Sequence, residues 1–319
     1  MTDNCKYSIE RYNPLMAGEW DDFVKSSRNA TFLFQRAYMD YHADRFADCS
    51  WVVRKRGRIV SLLPANLSCD GVLHSHAGLT YGGWLLPAAH INGADLLEIF
   101  SEMCSVWRCA GIKALDYKPV PYIYHVVPSQ EDIYALFRLG AKLSECSLSA
   151  AVDLRNSSGF NKQMSRHLAK ALQVPDVSVS EESNPAEFMK MLEECLATRH
   201  GVTPVHSPRE MERLMNAFPN NIRIFTLRVA GELMCGVCVY DTGITAHLQY
   251  IAATPRGREL NLMSLLVDRL ISEIFNTRKY LDFGISCENG GEILNEGLLR
   301  QKFSYGATGV VYTRYWLDL

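Results

Sequence analysis

Two arginines bracket a glycine in "TPRGRELNLMSLL", just before a strongly amphipathic run. A helix start offers unpaired backbone N–H groups and the positive end of the helix dipole. Arg256, Gly257, Arg258 and Asn261 therefore stand either where an anion would be held or where two charges solvate a turn. Just upstream, "ITAHLQYIAATP" alternates as a strand does. His247 and Gln249 share one face of it, Tyr250 follows, and all three are candidates for substrate contact. Two carboxylates, Asp116 in "IKALDYKPV" and Asp282 in "KYLDFGISC", close short strand-like runs. A carboxylate there orients or deprotonates a substrate group, or caps the next turn. Glu288, in the glycine-rich "SCENGG", is a comparable general-base candidate.

Other clusters carry less. Cys287 has no neighbouring histidine in sequence to activate it. His74 and His76 fall on one face of a strand-like run, without a third ligand to make a metal site. Cys235 and Cys238 point to opposite faces of a strand, and no second CxxC completes a zinc site, so the ten cysteines read as thiols in a reducing compartment. Lys162, Arg166, His167 and Lys170 form a basic helical face, fit to meet phosphates or simply to be solvated.

The chain of 319 residues is 48% hydrophobic, with a formal net charge of −2. It is long enough for two domains. The charge asks for neither DNA nor an anionic membrane. The N-terminus has no apolar signal core, and no run reaches the roughly 18 apolar residues of a membrane span. The expectation is a cytoplasmic protein without a metal.

A faint duplication organises these residues. "SWVVRKRGRIVSLLPANL" and "RIFTLRVAGELMCGVCVY" each fold at a glycine, Gly57 and Gly231. Each is followed by another strand-like run, then an amphipathic helix, then the short strand bearing Asp116 or Asp282. Leu96, Leu97, Phe100, Met103, Cys104 and Trp107 mark the first helix face; Leu262, Leu266, Leu270 and Ile274 mark the second. Tyr81 precedes Asp116 by 35 residues and Tyr250 precedes Asp282 by 32. Each half is a mixed α/β unit, an antiparallel hairpin leading into a β-α-β crossover. Two copies, residues 1–155 and 156–319, would enclose a cleft. Asn156, Ser157 and Ser158 are helix-capping types before a basic linker helix at about 157–172. "VVYTRYWLDL" would close the second sheet.

The order hairpin, strand, helix, strand is similar to that of the GNAT acyltransferase fold. Its tandem resembles the FemAB-like group and the related CelD-like acetyltransferase domains. "GLTYGGWLL", "SRHLAKALQVPDVSV" and "LNEGLLRQKFSYGA" carry the resemblance over nearly the whole chain. It implies an acyl donor, acetyl-CoA or another acyl-CoA, and amide formation on an amine of a sugar, amino acid or cell-envelope precursor. It also implies an alternative, a Fem-type enzyme that takes its donor from aminoacyl-tRNA. A third expectation is a binding protein that keeps the fold without catalysis.

Amide formation needs a neutral amine, a place for the oxyanion and a proton for the leaving group. The resemblance assigns Lys302, in "RQKFSYGA", to a phosphate or the developing charge. Tyr81 becomes a hydrogen-bond donor, with Gly82 and Gly83 permitting close backbone approach. GNAT enzymes hold a pyrophosphate with a pattern like Q/R-x-x-G-x-G/A. After Gly257 this chain has Arg258, Glu259, Leu260 and Asn261, and such bulk is expected to hinder a phosphate.

Overall fold

The computed structural model describes residues 6–319. Cys5 lies outside the described residues. The chain divides into two compact units. The first comprises the chain up to Ser147 with Glu288–Ile293 and Val311–Leu319; the second comprises Leu148–Cys287 and Leu294–Val310.

The first unit opens with β1 (Ser8–Arg11), α1 (Ala17–Ser26) and α2 (Arg36–Met39). The hairpin β2 (Trp51–Lys55) and β3 (Arg58–Leu63) follows, and β1-β2-β3 form a small sheet. Next come β4 (Asn66–Leu67), β5 (Val72–His74), α3 (Gly93–Cys109), β6 (Ala114–Tyr117) and α4 (Glu131–Arg138). β5 and β6 run parallel, with α3 as the crossover between them. A capping box fixes the start of α3: Asn92 accepts from Asp95 N–H, and the Asp95 carboxylate accepts from Asn92 N–H. The helix buries Leu96, Ile99, Phe100, Met103, Cys104 and Trp107 against the first core, so Ile99 takes the fully buried place expected of Leu97.

β7 (Lys142–Asp153) is counted with the first unit to Ser147 and with the second from Leu148. The second unit continues with α5 (Lys162–Ala171), β8 (Val177–Glu182), α6 (Ala186–His200), α7 (Pro208–Ala217), β9 (Ile222–Val229), β10 (Glu232–Asp241), β11 (Thr245–Ala253), α8 (Pro255–Glu259), α9 (Leu262–Arg269) and β12 (Tyr280–Ile285). After β13 (Cys287–Glu288) and β14 (Ile293–Leu294) come α10 (Glu296–Phe303) and β15 (Thr308–Asp318). The second-unit strand order is β7-β12-β11-β10-β9-β8. β11 and β12 are parallel, with α8 and α9 in their crossover. β10 is buried from Leu233 to Asp241, as a central strand covered on both faces must be. The end of the α9 region widens into a π turn over Leu270–Ile274.

Both expected hairpins are present. Their two-residue turns, Arg56-Gly57 and Ala230-Gly231, all take positive φ, matching the twist of the flanking strands. Three expectations need correction. The cap of the basic helix is Asn161, whose side chain accepts from Met164 N–H, rather than Asn156, Ser157 or Ser158. β5 ends at His74, and His76 takes a left-handed backbone (φ 66°), so the two histidines do not share a strand face. Val311–Leu319 belongs to the first unit: Tyr315, Trp316 and Leu317 pair with Tyr117, Asp116 and Leu115 of β6. Leu317 is buried in the first core, which makes that pairing pay in apolar area.

The second core gathers Val237, Val239, Leu248, Leu262, Leu266, Leu270, Phe275 and Leu281. Leu266 is fully buried there. Leu266→Ala is expected to lower unfolding free energy by about 2–5 kcal/mol, read from the urea midpoint at unchanged m-value.

Candidate active site

The parallel register of β11 and β12 sets His247 beside Asp282. His247 Nδ1 lies 2.8 Å from Asp282 Oδ2. Asp282 is fully buried and held from two further sides: Ser149 Oγ donates to its Oδ1 at 2.7 Å, and Gly284 N–H donates to the same oxygen at 3.1 Å. With Asp282 as acceptor, the Nδ1 atom carries the proton. Nε2 makes no hydrogen bond among the described residues and presents its lone pair. The imidazole is partly exposed, 14% by side chain. The geometry resembles the histidine–carboxylate half of a Ser-His-Asp arrangement.

Gly284 joins this pair to the lysine. Its backbone is left-handed (φ 74°), and a Cβ there would come within 3.3 Å of His247 Cε1. A side chain would thus be strained by its own backbone and would press on the imidazole. Lys302 of α10 donates to Gly284 O at 2.7 Å and to Ile285 O at 2.6 Å. Lys302 is buried, 6% exposed. Burial lowers its pKa to about 8, although the charges of Asp282 and Cys287 favour the ammonium.

The first unit repeats the pairing. β5 and β6 place His74 opposite Asp116, with His74 Nδ1 2.6 Å from Asp116 Oδ2. The in-register histidines, His74 and His247, are therefore the corresponding positions, whereas the sequence spacing had aligned Tyr81 with Tyr250. Asp116 differs from Asp282 in its other partners. Arg314 of β15 donates to both its oxygens, at 2.6 and 2.5 Å, and to Glu145 at 2.8 Å. Burial pushes the Asp116 pKa up, but His74 and Arg314 outweigh it and hold it at about 2. Lys118, just past β6, is brought down to about 8 by burial and donates to Leu79 O.

A cavity of about 520 Å³ lies within the second unit. Arg258 lines it from α8, Asn261 from the α9 start, Gln163 and His167 from α5, and Arg300 and Gln301 from α10. Asn261 adopts φ 58°, a left-handed conformation that asparagine tolerates better than most residues. Glu259 and Leu260, the bulky residues of the loop, are not among the cavity's lining. Gly257 also borders it, but a Cβ at Gly257 would overlap the Met234 carbonyl oxygen, so the glycine serves the packing of α8 on β10. Its N–H is already taken by Thr254 Oγ1 at 3.0 Å. The cationic side chains and the left-handed turn fit a phosphate-bearing donor.

The remaining candidates stand elsewhere. Arg256 is exposed, paired with Glu259 at 3.4 Å, and does not line the cavity. Arg166 is exposed on α5. Tyr250 Oη is 2.7 Å from His206 Nδ1. Gln249 is half-buried on β11 and Glu288 is exposed on β13. Tyr81 is buried in the first unit, its hydroxyl 3.3 Å from Thr31 Oγ1. Among the described residues, no three His, Cys, Asp or Glu side chains gather as a metal site. Every described cysteine is a free thiol. Sequence reasoning missed Gly284, Ser149, Arg314, Arg300 and the link between each histidine and its aspartate. A histidine at the same place in both repeats, "VLH" and "TAH", was the available signal.

Residues 158–291 match the profile of the Acetyltransferase (GNAT) domain. Residues 158–291 thus carry a GNAT-type acetyltransferase domain. Its tandem, FemAB-like fold is seen in solved structures. The crystal structure of FemX is 11% identical, with 98% of this chain and 97% of that chain covered and a TM-score of 0.71. A tandem GNAT protein from the clavulanic acid biosynthesis pathway is 14% identical over 98% of both chains, with a TM-score of 0.53. L-PGS from Bacillus licheniformis is 12% identical, covering 96% of this chain and 92% of that one, with a TM-score of 0.59. No curated protein matches the sequence. Among the described residues, no helix is long and apolar enough to cross a membrane.

Lys302 makes stability depend on pH. Its pKa falls from 10.5 to about 8 on folding, so between those values the unfolded chain binds more protons. Stability rises with pH across that window and is lost as pH falls through it. Lys118 contributes in the same direction. Lys302→Met is expected to flatten part of the rise, read as the wild-type-minus-variant difference in urea unfolding between pH 7.5 and roughly pH 10.5.

Proposed function

We propose that this protein is an N-acyltransferase whose second unit carries the chemistry, with His247 as general base. The observation that supports this is the His247–Asp282 pair, with Nε2 open, in the same unit as the basic cavity. Arg258, Asn261, His167 and Arg300 would hold the donor, taken as acetyl-CoA or another acyl-CoA. When bound, the donor supplies an activated acyl carbonyl.

The chain's own residues then have defined tasks. Asp282 fixes the His247 tautomer and stabilises the imidazolium formed when Nε2 takes a proton from the attacking amine. Ser149 and Gly284 N–H keep the carboxylate in place. Lys302 contributes positive charge at the end of β12. The acceptor is an amine of a sugar, amino acid or cell-envelope precursor, and the site of action is the cytoplasm. The domain limits 1–155 and 156–319 remain our proposal for the two ancestral repeats.

A second reading takes the donor from aminoacyl-tRNA. The fold likeness to FemX supports it, as does the exposed basic face of α5, with Lys162, Arg166 and Lys170, on the helix that also supplies His167 to the cavity. Such a donor would bind with a steep salt dependence.

Titration calorimetry with acetyl-CoA, backed by a competition assay, separates the two. Saturable binding weakened about tenfold by Arg258→Ala, and less than about twofold by Arg256→Ala, is expected for acyl-CoA in the cavity. No binding in either assay, with salt-sensitive binding of charged tRNA, would transfer the donor role to RNA. With an acceptor found by screening amines for thiol release, His247→Ala is expected to lower kcat by about 10²–10⁴-fold while leaving donor affinity within about twofold. An unchanged kcat would remove His247 from the mechanism.

A further inference from the structure

We infer that Lys302 is a positioning residue for the His247–Asp282 pair, acting through the backbone of Gly284 and Ile285 rather than as a ligand for donor phosphate or the oxyanion. The inference rests on the proposed role of His247, and it assigns regulation of that site to a side chain the reaction does not touch.

The geometry carries the argument. Both hydrogen bonds described for the Lys302 ammonium end on consecutive carbonyls at the end of β12. An ammonium has three donor hydrogens, and two are spent on backbone. The side chain is buried, where an ammonium surrounded by fixed carbonyl dipoles is costly to redirect towards a ligand. Lys302 is also absent from the cavity lining, although its neighbours Arg300, Gln301, Ser304 and Tyr305 are all there.

The held backbone is the one that shapes the base. Gly284 touches the pair in two ways and the lysine in a third. Its N–H donates to Asp282 Oδ1, its carbonyl accepts from Lys302, and its bare Cα faces His247 Cε1. The left-handed turn at Gly284, two residues after the carboxylate, falls where the β7–β12 register breaks between Asp282 and the resumed Ile285–Ser149 pair, so an anchor from outside the ladder steadies it. Lys302 supplies that anchor from α10. Burial lowers the lysine's basicity, which fits a group kept for its donors in a dry environment.

The test reads the imidazole directly and needs no acceptor. In ¹⁵N-labelled full-length protein, long-range ¹H–¹⁵N correlation spectra are expected to show wild-type His247 as a single Nδ1–H tautomer. Lys302→Met is expected to give exchange-averaged tautomers, and Gly284→Ala, with Lys302 intact, the same signature. Lys302→Gln, which keeps one amide donor and replaces the methionine variant should that not fold, is expected to lie between. Acetyl-CoA titrations on these samples are expected to give Kd values within about twofold of wild type. Lys302→Met or Lys302→Gln leaving His247 in one tautomer, or weakening acetyl-CoA tenfold without disturbing the tautomer, would overturn the inference. Absence of acetyl-CoA binding to the wild type bears on the donor alone, because the tautomer measurement stands without it. A wild-type His247 already averaged between tautomers would instead sink its role as an oriented base.

Discussion

The chemistry proposed for the second unit depends on one buried carboxylate being acceptable where it stands. Asp282 has no exposed surface, and an isolated charge there would be prohibitive. Three donors make it tolerable: the His247 ring, the Ser149 hydroxyl and the Gly284 N–H. They come from three neighbouring strands, β11, β7 and β12. The sheet order is therefore a requirement of the site, since a one-residue slip of either neighbour would turn its donor to the opposite face.

The first unit shows what happens when the same pair acquires a different third partner. Asp116 is met by His74 as Asp282 is met by His247, but the guanidinium of Arg314 occupies both carboxylate oxygens and continues to Glu145. A bidentate arginine is a strong and geometrically specific partner, and it leaves the carboxylate far below its usual range. Asp116 is thus tied into a structural ion-pair network. The start of α3 differs in the same sense: behind an N-cap asparagine in each unit, the capping box places the Asp95 carboxylate in the first turn of α3, whereas α9 has Ser264 at that place with Arg258 just upstream. An anion would be repelled at one helix start and welcomed at the other.

Gly257 and Gly284 show how residue type and residue purpose separate. Gly257 reads from sequence as a ligand-facing glycine, and Gly284 passes unnoticed at the end of a strand-like run. Gly257 is required by a carbonyl of β10 pressed against α8, and Gly284 by a left-handed turn under an imidazole. Lys302 is parallel: its place near the chain's end suggested a ligand for phosphate, while its ammonium is engaged by protein carbonyls. In each case a neighbour distant in sequence decided what the residue packs against or bonds to.

The sequence by itself determined the local elements and their duplication. Turn glycines at the two hairpins, 3.6-residue apolar periodicity in α3 and α9, and short apolar strands bearing an aspartate are all nearest-neighbour properties, so they were legible in order, although both strands run on past the aspartate expected to close them. The acyltransferase fold followed from that order. Tertiary structure alone decided which side chains meet. His74 finds Asp116 across 42 residues and His247 finds Asp282 across 35, because parallel pairing through a helical crossover fixes a register that no local pattern encodes. Arg314 reaches Asp116 across 198 residues because the last strand pairs with β6 in the first unit, against the expectation that it would close the second sheet. The physical reason is the same throughout: periodicity tells which face of an element is buried, but only the packed sheet tells against what.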